Sequence, residues 1–510
     1  MIAVSTFYLT TPIYYVNSTP HIGHAYTTIA ADILVRHHRQ RGDDTFFLTG
    51  TDEHASKVFR VAEERGLDAK VFVDRIVEEN WRPLAPLVGA EPDFFIRTTD
   101  DEHKAFVQDF VERLRANGHI YEGTYSGLYC VGHETFISEG ELVDGKCPEH
   151  GTVPEFIEEQ NWFFRLSSFQ DALLRLYDER PDFVLPRFRS NEARSLIEAG
   201  LEDFSLSRQG QPWGVPIPWN PEQVTWVWVD ALINYLSALT YAEPGEDLRE
   251  EYWPHVRHLI GKDILRLHCV LWPALLLGAG YSVPTQIFVH GYLLLDDRKI
   301  SKTLGNVIDP LDLIGVYGAD AVRFWAARSV SFGQDGSVSL ESLHERYERE
   351  LGNDLGNLLS RTTAMVAKYR DGRVPVADSE LAEQAFTDLR DRVAGSLDAF
   401  DVTGGIDAIW EFVRSLNKYV TDSKPWELAK DEANAPKLDR VLFTLVDGLR
   451  AAAVALASYL PETAPSILDA VGQPVDLAWD GVARGRAVAA EGIDAAAPLF
   501  PRVEAPATAA

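Results

Sequence analysis

Cysteine is scarce in this chain: three in 510 residues, at positions 130, 147 and 269. Three thiols cannot build a disulfide framework, so the expected compartment is a reducing cytoplasm. No apolar run approaches the ~18 residues of a membrane-spanning helix. The N-terminus lacks the basic stretch and apolar core of a secretory signal. Positive charge is short as well: 48 Lys and Arg against 77 Asp and Glu leave a net charge of −29. So acidic a surface argues against indiscriminate binding to nucleic acid, while leaving room for a local basic face. No internal repeat is visible. What is present, 46% hydrophobic and 25% charged residues, is ordinary for a globular protein. At roughly 100–200 residues per domain, the length suggests three or so domains.

Residues 5–10 read as a short buried strand and 11–20 as a loop rich in turn formers. A helix follows from about His24 to Gly42, with Ile29, Ile33 and Leu34 on one face. A second strand is expected at 45–49, with Gly50 to His54 just past its end. Strand, helix, strand opens a doubly wound parallel sheet of the Rossmann type, in which ligands bind outside the carboxyl ends of the strands. The expected domains are 1–116, the first half of this α/β catalytic unit; 117–222, an inserted, small, β-rich connective domain; 223–340, the second half; and 341–510, an all-α helical bundle. In the second half, 224–229, 258–260 and 286–289 read as strands, and 230–239 and 264–277 as helices. Beyond residue 340 apolar residues recur at three- and four-residue steps through 343–369, 381–400, 405–420 and 438–459. The Ala- and Pro-rich end, 495–510, is expected to fray. With no further domain after the bundle, a monomer is expected.

Two short runs carry the first functional signal. His21-Ile22-Gly23-His24 opens the first helix, and Lys299-Ile300-Ser301-Lys302-Thr303 follows a hairpin expected around Asp296 and Asp297. His21 and His24 share one side of a helix start, where backbone N–H groups already favour anions. Lysines on a loop with Ser301, Thr303 and Gly305 can wrap a polyphosphate and neutralise charge on a departing pyrophosphate. Either run alone also fits a polar helix start or a solvated loop. In this order, each beside a β-like stretch, they outline a site for a nucleotide triphosphate. Lys302 is the stronger candidate for the pyrophosphate, with Lys299 in support. Separately, Cys130 with His133 and Cys147 with His150 form two C-x-x-H pairs, the logic of a tetrahedral zinc knuckle. Cys269 reads as a core thiol.

These residues carry a resemblance. His21 to His24 and 299–303 resemble the two signature motifs of the class I aminoacyl-tRNA synthetases, HIGH and KMSKS, with Ile300 and Thr303 as conservative departures. The runs 11–17, 47–54, 228–235, 261–264 and 289–292 are similar to those of methionyl-tRNA synthetases, and the similarity covers essentially the whole chain. The insertion is too small for the hydrolytic editing domain of the longer leucine, isoleucine and valine relatives. The resemblance implies attachment of L-methionine to tRNA(Met) through a methionyl-adenylate, with ATP and Mg²⁺. It places catalysis on His21, His24, Lys299 and Lys302, and ATP binding on His21, Gly23, His24, Asp263 and Lys302. Asp263 would meet the ribose hydroxyls; the competing reading makes it a helix N-cap.

Methionine is placed on Ile13, Tyr15, Asp52, Trp228, Leu232, Tyr235, Ile264 and His268. The chemistry fits: Asp52 can hold the α-ammonium group, and the rings of Tyr15, Trp228 and Tyr235 suit a thioether. A hydroxyl or imidazole N–H of Tyr235 or His268 can favour sulfur over a plain alkyl chain. Leu232 stands where some relatives have proline. In the bundle the resemblance puts anticodon reading on Asn357, Arg361, Pro425 and Trp426, since Asn and Arg can bond base edges and an indole can stack on an unpaired base. Arg346, Arg349, Lys368, Arg370 and Arg373 would add a backbone-contacting surface. Some relatives load the knuckle with metal and others keep it empty, so Zn²⁺ on Cys130, His133, Cys147 and His150 stays open. Three alternatives compete. A nucleotidyltransferase of the same superfamily has no need of a helical RNA-binding half. A synthetase for another amino acid shares the motifs. A binding protein without catalysis has no reason to keep His21, His24, Asp52 and Lys302 together.

Overall fold

The structure is a computed structural model that describes residues 5–16, 19–130, 135–148, 151–295, 298–299 and 308–504, with backbone alone at 125, 135, 136, 298 and 299. The opening elements are β1 (Thr6–Tyr15), α1 (Ile22–Gln40) and β2 (Asp44–Asp52). They begin a six-stranded sheet whose spatial order is Phe94–Arg97, β2, β1, Val256–Gly261, Gln286–His290 and Val184–Leu185, every pairing parallel. β1 is nearly continuous in apolar residues because helices cover both faces of such a sheet. Its polar members find partners: Thr10 Oγ1 lies 2.8 Å from His258 Nδ1, and Thr11 Oγ1 lies 2.7 Å from Thr49 Oγ1.

Two boundaries differ from the sequence reading. The segment expected to leave the sheet after residue 10 stays in it to Tyr15. Pro12 has no N–H for the ladder, and a register shift between Thr10 and Ile13 absorbs it; Ile13, Tyr14 and Tyr15 then pair with Gly50, Thr51 and Asp52. β2 accordingly runs through Asp52, which ends a strand instead of sitting in a loop. Gly50 permits this close approach, since an added Cβ would lie 2.1 Å from Ile96 O.

Two further elements are re-read. Residues 224–229 are not one strand: the strand is Asn220–Thr225 and the helix Val227–Ser237 follows. That helix is buried almost throughout, and an apolar run without periodicity does not distinguish a buried helix from a buried strand. The segment expected as one helix over 264–277 is broken into a 3₁₀ turn (Lys262–Ile264), a π-turn (Leu267–Leu271) and an α-helix (Trp272–Ala279). Pro273 explains the wide turn, because its ring would clash with the carbonyl of a regular preceding turn.

The inserted region holds an antiparallel sheet in the order Thr135–Ile137, Ile120–Cys130, Glu155–Phe164 and Phe204–Ser205. It also sends Val184–Leu185 back to the edge of the parallel sheet. Beyond residue 340 come the long helical run 340–370, with a π-helical stretch over Tyr347–Gly356, and the helices Glu383–Asp398, Val402–Ser423 and Ala435–Leu456. The end expected to fray is packed as far as Val503: Ala496 N–H donates to Thr363 Oγ1 at 3.0 Å, Tyr347 Oη donates to Pro501 O at 2.7 Å, and Phe500 packs edge-on to Tyr347. Among the described residues no helix is long and apolar enough to cross a membrane.

The α/β part and the bundle meet at a buried guanidinium. Arg323, on the helix Ala319–Ser329, donates to Tyr459 O and Ser458 O at 2.8 Å and to Val88 O at 3.1 Å. It also pairs at 2.7 Å with Asp32 of α1, which in turn holds Arg36 at 2.7 Å. Replacing Arg323 by Leu leaves Asp32 buried with Arg36 and the Glu91 amide. The expected cost is about 3–5 kcal/mol, read as a lowered midpoint in urea unfolding. A loss under about 1 kcal/mol would show that this seam is held elsewhere.

Candidate functional site

The strand order reverses between β1 and Val256–Gly261, and a cavity of about 370 Å³ opens there, at the carboxyl ends of the strands. It brings together His21, Gly23, His24 and Asp263 from the expected nucleotide set. Ile13, Tyr15, Asp52, Trp228, Leu232, Tyr235, Ile264 and His268, the whole of the expected amino-acid set, line the same cavity.

His21 is the N-cap of α1, and the two histidines cap one another. Gly23 N–H donates to His21 Nδ1 and His21 N–H donates to His24 Nδ1, each at 3.1 Å. This is a capping box built from imidazoles. The rings lie 3.8 Å apart between centroids, and His24 is boxed by Tyr14 at 5.0 Å and Trp81 at 4.9 Å. Both Nδ1 atoms accept, so each ring carries its proton on Nε2 as a donor. Gly23 is needed for the stack: an added Cβ would lie 2.9 Å from His21 Cε1.

At the other end Asp52 terminates β2, and Tyr15 meets Trp228 edge-on at 5.4 Å. Trp228, Leu232 and Tyr235 recur at four- and three-residue steps on the helix Val227–Ser237, so one face of it walls the cavity. His268 Nδ1 lies 3.0 Å from Ile264 O, which can only accept, so Nδ1 bears a proton. Burial lowers the pKa of His268 from 6.5 to about 4, against the opposing pull of that carbonyl, and the ring is neutral. Its Nε2 must therefore accept, and the partner at 2.7 Å is the Tyr235 hydroxyl. Both protons are committed. The expectation that one of them points at a sulfur atom is thus corrected: the pair offers an oxygen lone pair and no donor.

Asp263 lies within the 3₁₀ turn Lys262–Ile264, whose N-cap is Gly261, so the capping alternative falls away. Lys299 pairs through its backbone with Leu294, completing the hairpin expected there; Lys302 and the rest of 300–307 lie outside the described residues. Sequence reasoning gave no role to Thr27 or His290, which also line the cavity and meet at 2.9 Å. The available signal was spacing, since Thr27 falls three residues after His24 on α1.

In the inserted sheet Cys130 and Cys147 share one small buried cluster with Ile137. His133 and His150 lie outside the described residues, and among those described no group of three or more metal-ligating side chains assembles. In the bundle, Asp354 meets Trp410 at 3.2 Å and Arg414 at 3.3 Å, and its carbonyl accepts from Asn417 at 2.7 Å. These bonds join the helical run 340–370 to the helix Val402–Ser423 at Asp354. Asn357 and Arg361 follow on one, and the Lys424 corner, buried Pro425 and Trp426, 40% exposed, on the other. Arg346, Arg349, Arg370 and Arg373 each stand by a carboxylate, of Glu350, Glu345, Asp439 and Glu491. Lys368, the fifth residue of the expected basic surface, stands over the Tyr369 ring at 5.5 Å.

The family model described as tRNA synthetases class I (M) matches residues 7–153 and 141–363. A methionine–tRNA ligase of Streptomyces coelicolor is 42% identical over 98% of this chain and 97% of its own length. One of Caldanaerobacter subterraneus subsp. tengcongensis is 42% identical over 98% of this chain and 79% of its own. The solved Mycobacterium tuberculosis methionyl-tRNA synthetase in complex with methionyl-adenylate superposes with a TM-score of 0.92 at 40% identity, over 98% of this chain and all of that one.

The neutral histidine makes a stability prediction. Below pH 6.5 an unfolded chain takes up a proton that native His268 refuses until about pH 4. Falling pH therefore favours unfolding across that window. His37, lowered by burial to about 3, acts in the same direction. Urea midpoints measured from pH 6.5 to 4 should fall, and His268→Gln should remove one proton's share of the slope. An unchanged slope in the variant would assign the proton elsewhere.

Proposed function

The chain belongs to the methionine-specific class I tRNA synthetases, and from that membership we propose how its residues divide the work of joining L-methionine to tRNA(Met) with ATP. One observation carries the reading: stacked histidines at a helix start, a strand-end carboxylate and an aromatic wall share a single cavity.

Methionine binds with its α-ammonium group on Asp52 and its thioether between Tyr15, Trp228, Leu232 and Tyr235, beside Ile13, Ile264 and His268. A thioether asks for no hydrogen-bond donor, and the lone pair presented by Tyr235 suits it better than it would an amide or sulfoxide oxygen. Asp263 takes the ribose hydroxyls of ATP. The methionine carboxylate attacks the α-phosphorus; the oxygen–phosphorus bond to pyrophosphate breaks, and methionyl-adenylate forms. His21 and His24 donate from Nε2 to the phosphoryl oxygens, Gly23 lets the chain approach them, and Lys302, supported by Lys299, receives the pyrophosphate charge. Mg²⁺ bound with ATP supplies further neutralisation. Positioning and electrostatics account for this step, with no covalent enzyme intermediate. The 2′-hydroxyl of the terminal tRNA adenosine then attacks the adenylate carbonyl and releases AMP.

On the bundle, Asn357 and Arg361 bond anticodon base edges and Trp426, set by Pro425, stacks on an unpaired base. A structural Zn²⁺ would be held by Cys130, His133, Cys147 and His150, a reading supported by the clustering of Cys130 with Cys147 and tested by metal analysis of the purified protein. The enzyme acts as a monomer in the cytoplasm.

Amino-acid-dependent ATP–pyrophosphate exchange tests the whole assignment; exchange with leucine or valine but not methionine would overturn it. In the same assay Lys302→Ala should leave methionine affinity intact and cut exchange by about 10²–10³-fold. A small rate effect would remove Lys302 from the phosphate site. Trp426→Ala should impair aminoacylation of tRNA by about tenfold or more while sparing exchange. Equal damage to both reactions would make Trp426 a packing residue.

A further inference from the structure

Two residues beyond Asp52, outside the cavity lining, His54 is buried with its Nδ1 2.7 Å from Asp230 Oδ2. Asp230 lies in the first turn of the helix Val227–Ser237 and is wholly buried. Its other oxygen accepts from His103 Nε2 at 2.8 Å, on the helix Asp101–Ala116. His103 Nδ1 in turn lies 2.7 Å from Ser237 Oγ, one heptad along from Asp230. The helix therefore has two working faces. Trp228, Leu232 and Tyr235 look into the cavity, while Asp230 and Ser237 grip His103 and His54 on the other side. The chain at residues 52–54 is held independently by Glu53, whose buried carboxylate accepts from Arg97 at 2.7 and 2.9 Å, Thr51 at 2.7 Å and Thr99 at 2.6 Å.

Burial alone would raise the Asp230 carboxyl, but the two imidazoles outweigh it and hold it down at about 2. A buried carboxylate of this kind is costly to desolvate, and an apolar side chain would often serve stability as well. What the network provides is geometry. The strand end that carries Asp52 and the helix that carries the aromatic wall come from distant parts of the sequence, and His54 to Asp230 is a direct, buried polar tie between them. We propose that the His54–Asp230–His103 bridge is a positioning device that fixes the spacing between the Asp52 carboxylate and the wall of Trp228, Leu232 and Tyr235, and so sets the length of amino-acid side chain the site accepts. This rests on the assignment of the cavity to methionine. None of the three bridge residues touches substrate; they act through Asp52 and the wall.

The test is pyrophosphate exchange by the full-length enzyme with methionine, ethionine (one carbon longer) and S-methylcysteine (one methylene shorter). His54→Ala should raise KM for methionine about tenfold or more, since misplacements of about 1 Å are that costly, while leaving KM for ATP within about twofold. It should also shift the kcat/KM ratio of ethionine or S-methylcysteine to methionine by about fivefold, which a general loss of stability does not do. His54→Asn puts an amide N–H where Nδ1 stands and should restore both values. The inference is overturned if His54→Ala leaves the analogue ratios unmoved, whether or not its melting temperature falls, or if His54→Asn is as impaired as His54→Ala. Wild-type protein with no methionine-dependent exchange would instead remove the underlying assignment, and this inference with it.

Discussion

Asp32 is a carboxylate with no access to solvent, on the helix that begins at His21, and it faces guanidinium groups from two places: Arg36 on its own helix and Arg323 from the helix Ala319–Ser329. Arg323 also binds the carbonyls at the end of the long bundle helix, at Ser458 and Tyr459. A buried ion network of this kind adds little net stability over an apolar packing, yet it tolerates few alternative seatings, because any shift leaves a charge unpaired. The helix that opens the cavity and the bundle are consequently tied together through one buried carboxylate.

The histidines of the cavity differ in which nitrogen is occupied. His21 and His24 spend Nδ1 on backbone amides, which puts the ring proton on Nε2. His268 and His290 spend the Nδ1 proton on a carbonyl, of Ile264 and Gly291, and burial lowers the pKa of each. The helix-start pair thus carries its N–H on Nε2, while the His268–Tyr235 pair has both of its protons committed. One residue type serves two opposite needs, and the local backbone decides which.

Much of this was legible in the sequence, for identifiable reasons. The parallel sheet showed itself through the order strand, helix, strand at the start of the chain, since parallel neighbours need a crossover between them. The histidine run was legible from its place at a helix start, whereas the lysine run, alone as ordinary as any solvated loop, was legible only through the resemblance, and Lys302 lies outside the described residues. The reach of β1 past Pro12 was not legible, because proline ordinarily ends pairing and only the neighbouring strand reveals a bulge. The helix start at Val227 was hidden by the β-branched and aromatic residues around it, which a buried helix uses as freely as a strand. The packed tail was hidden for a different reason: its composition is that of a loose end, and its order comes from Tyr347, Thr363 and Phe500 meeting across the bundle. The bond between His54 and Asp230 joins residues far apart in the chain, and no local pattern announces it.

The short strand Val184–Leu185 gives the insertion a second office. It covers the outer edge of Gln286–His290, the strand that ends beside the cavity. An exposed edge is an invitation to foreign strands, and natural sheets rarely leave one bare. A trimmed enzyme made by excising the whole connective module would expose that ladder at the margin of its own active centre. Any attempt to miniaturise this catalyst would have to keep the few residues around Leu185 as a hem, even if the knuckle were discarded.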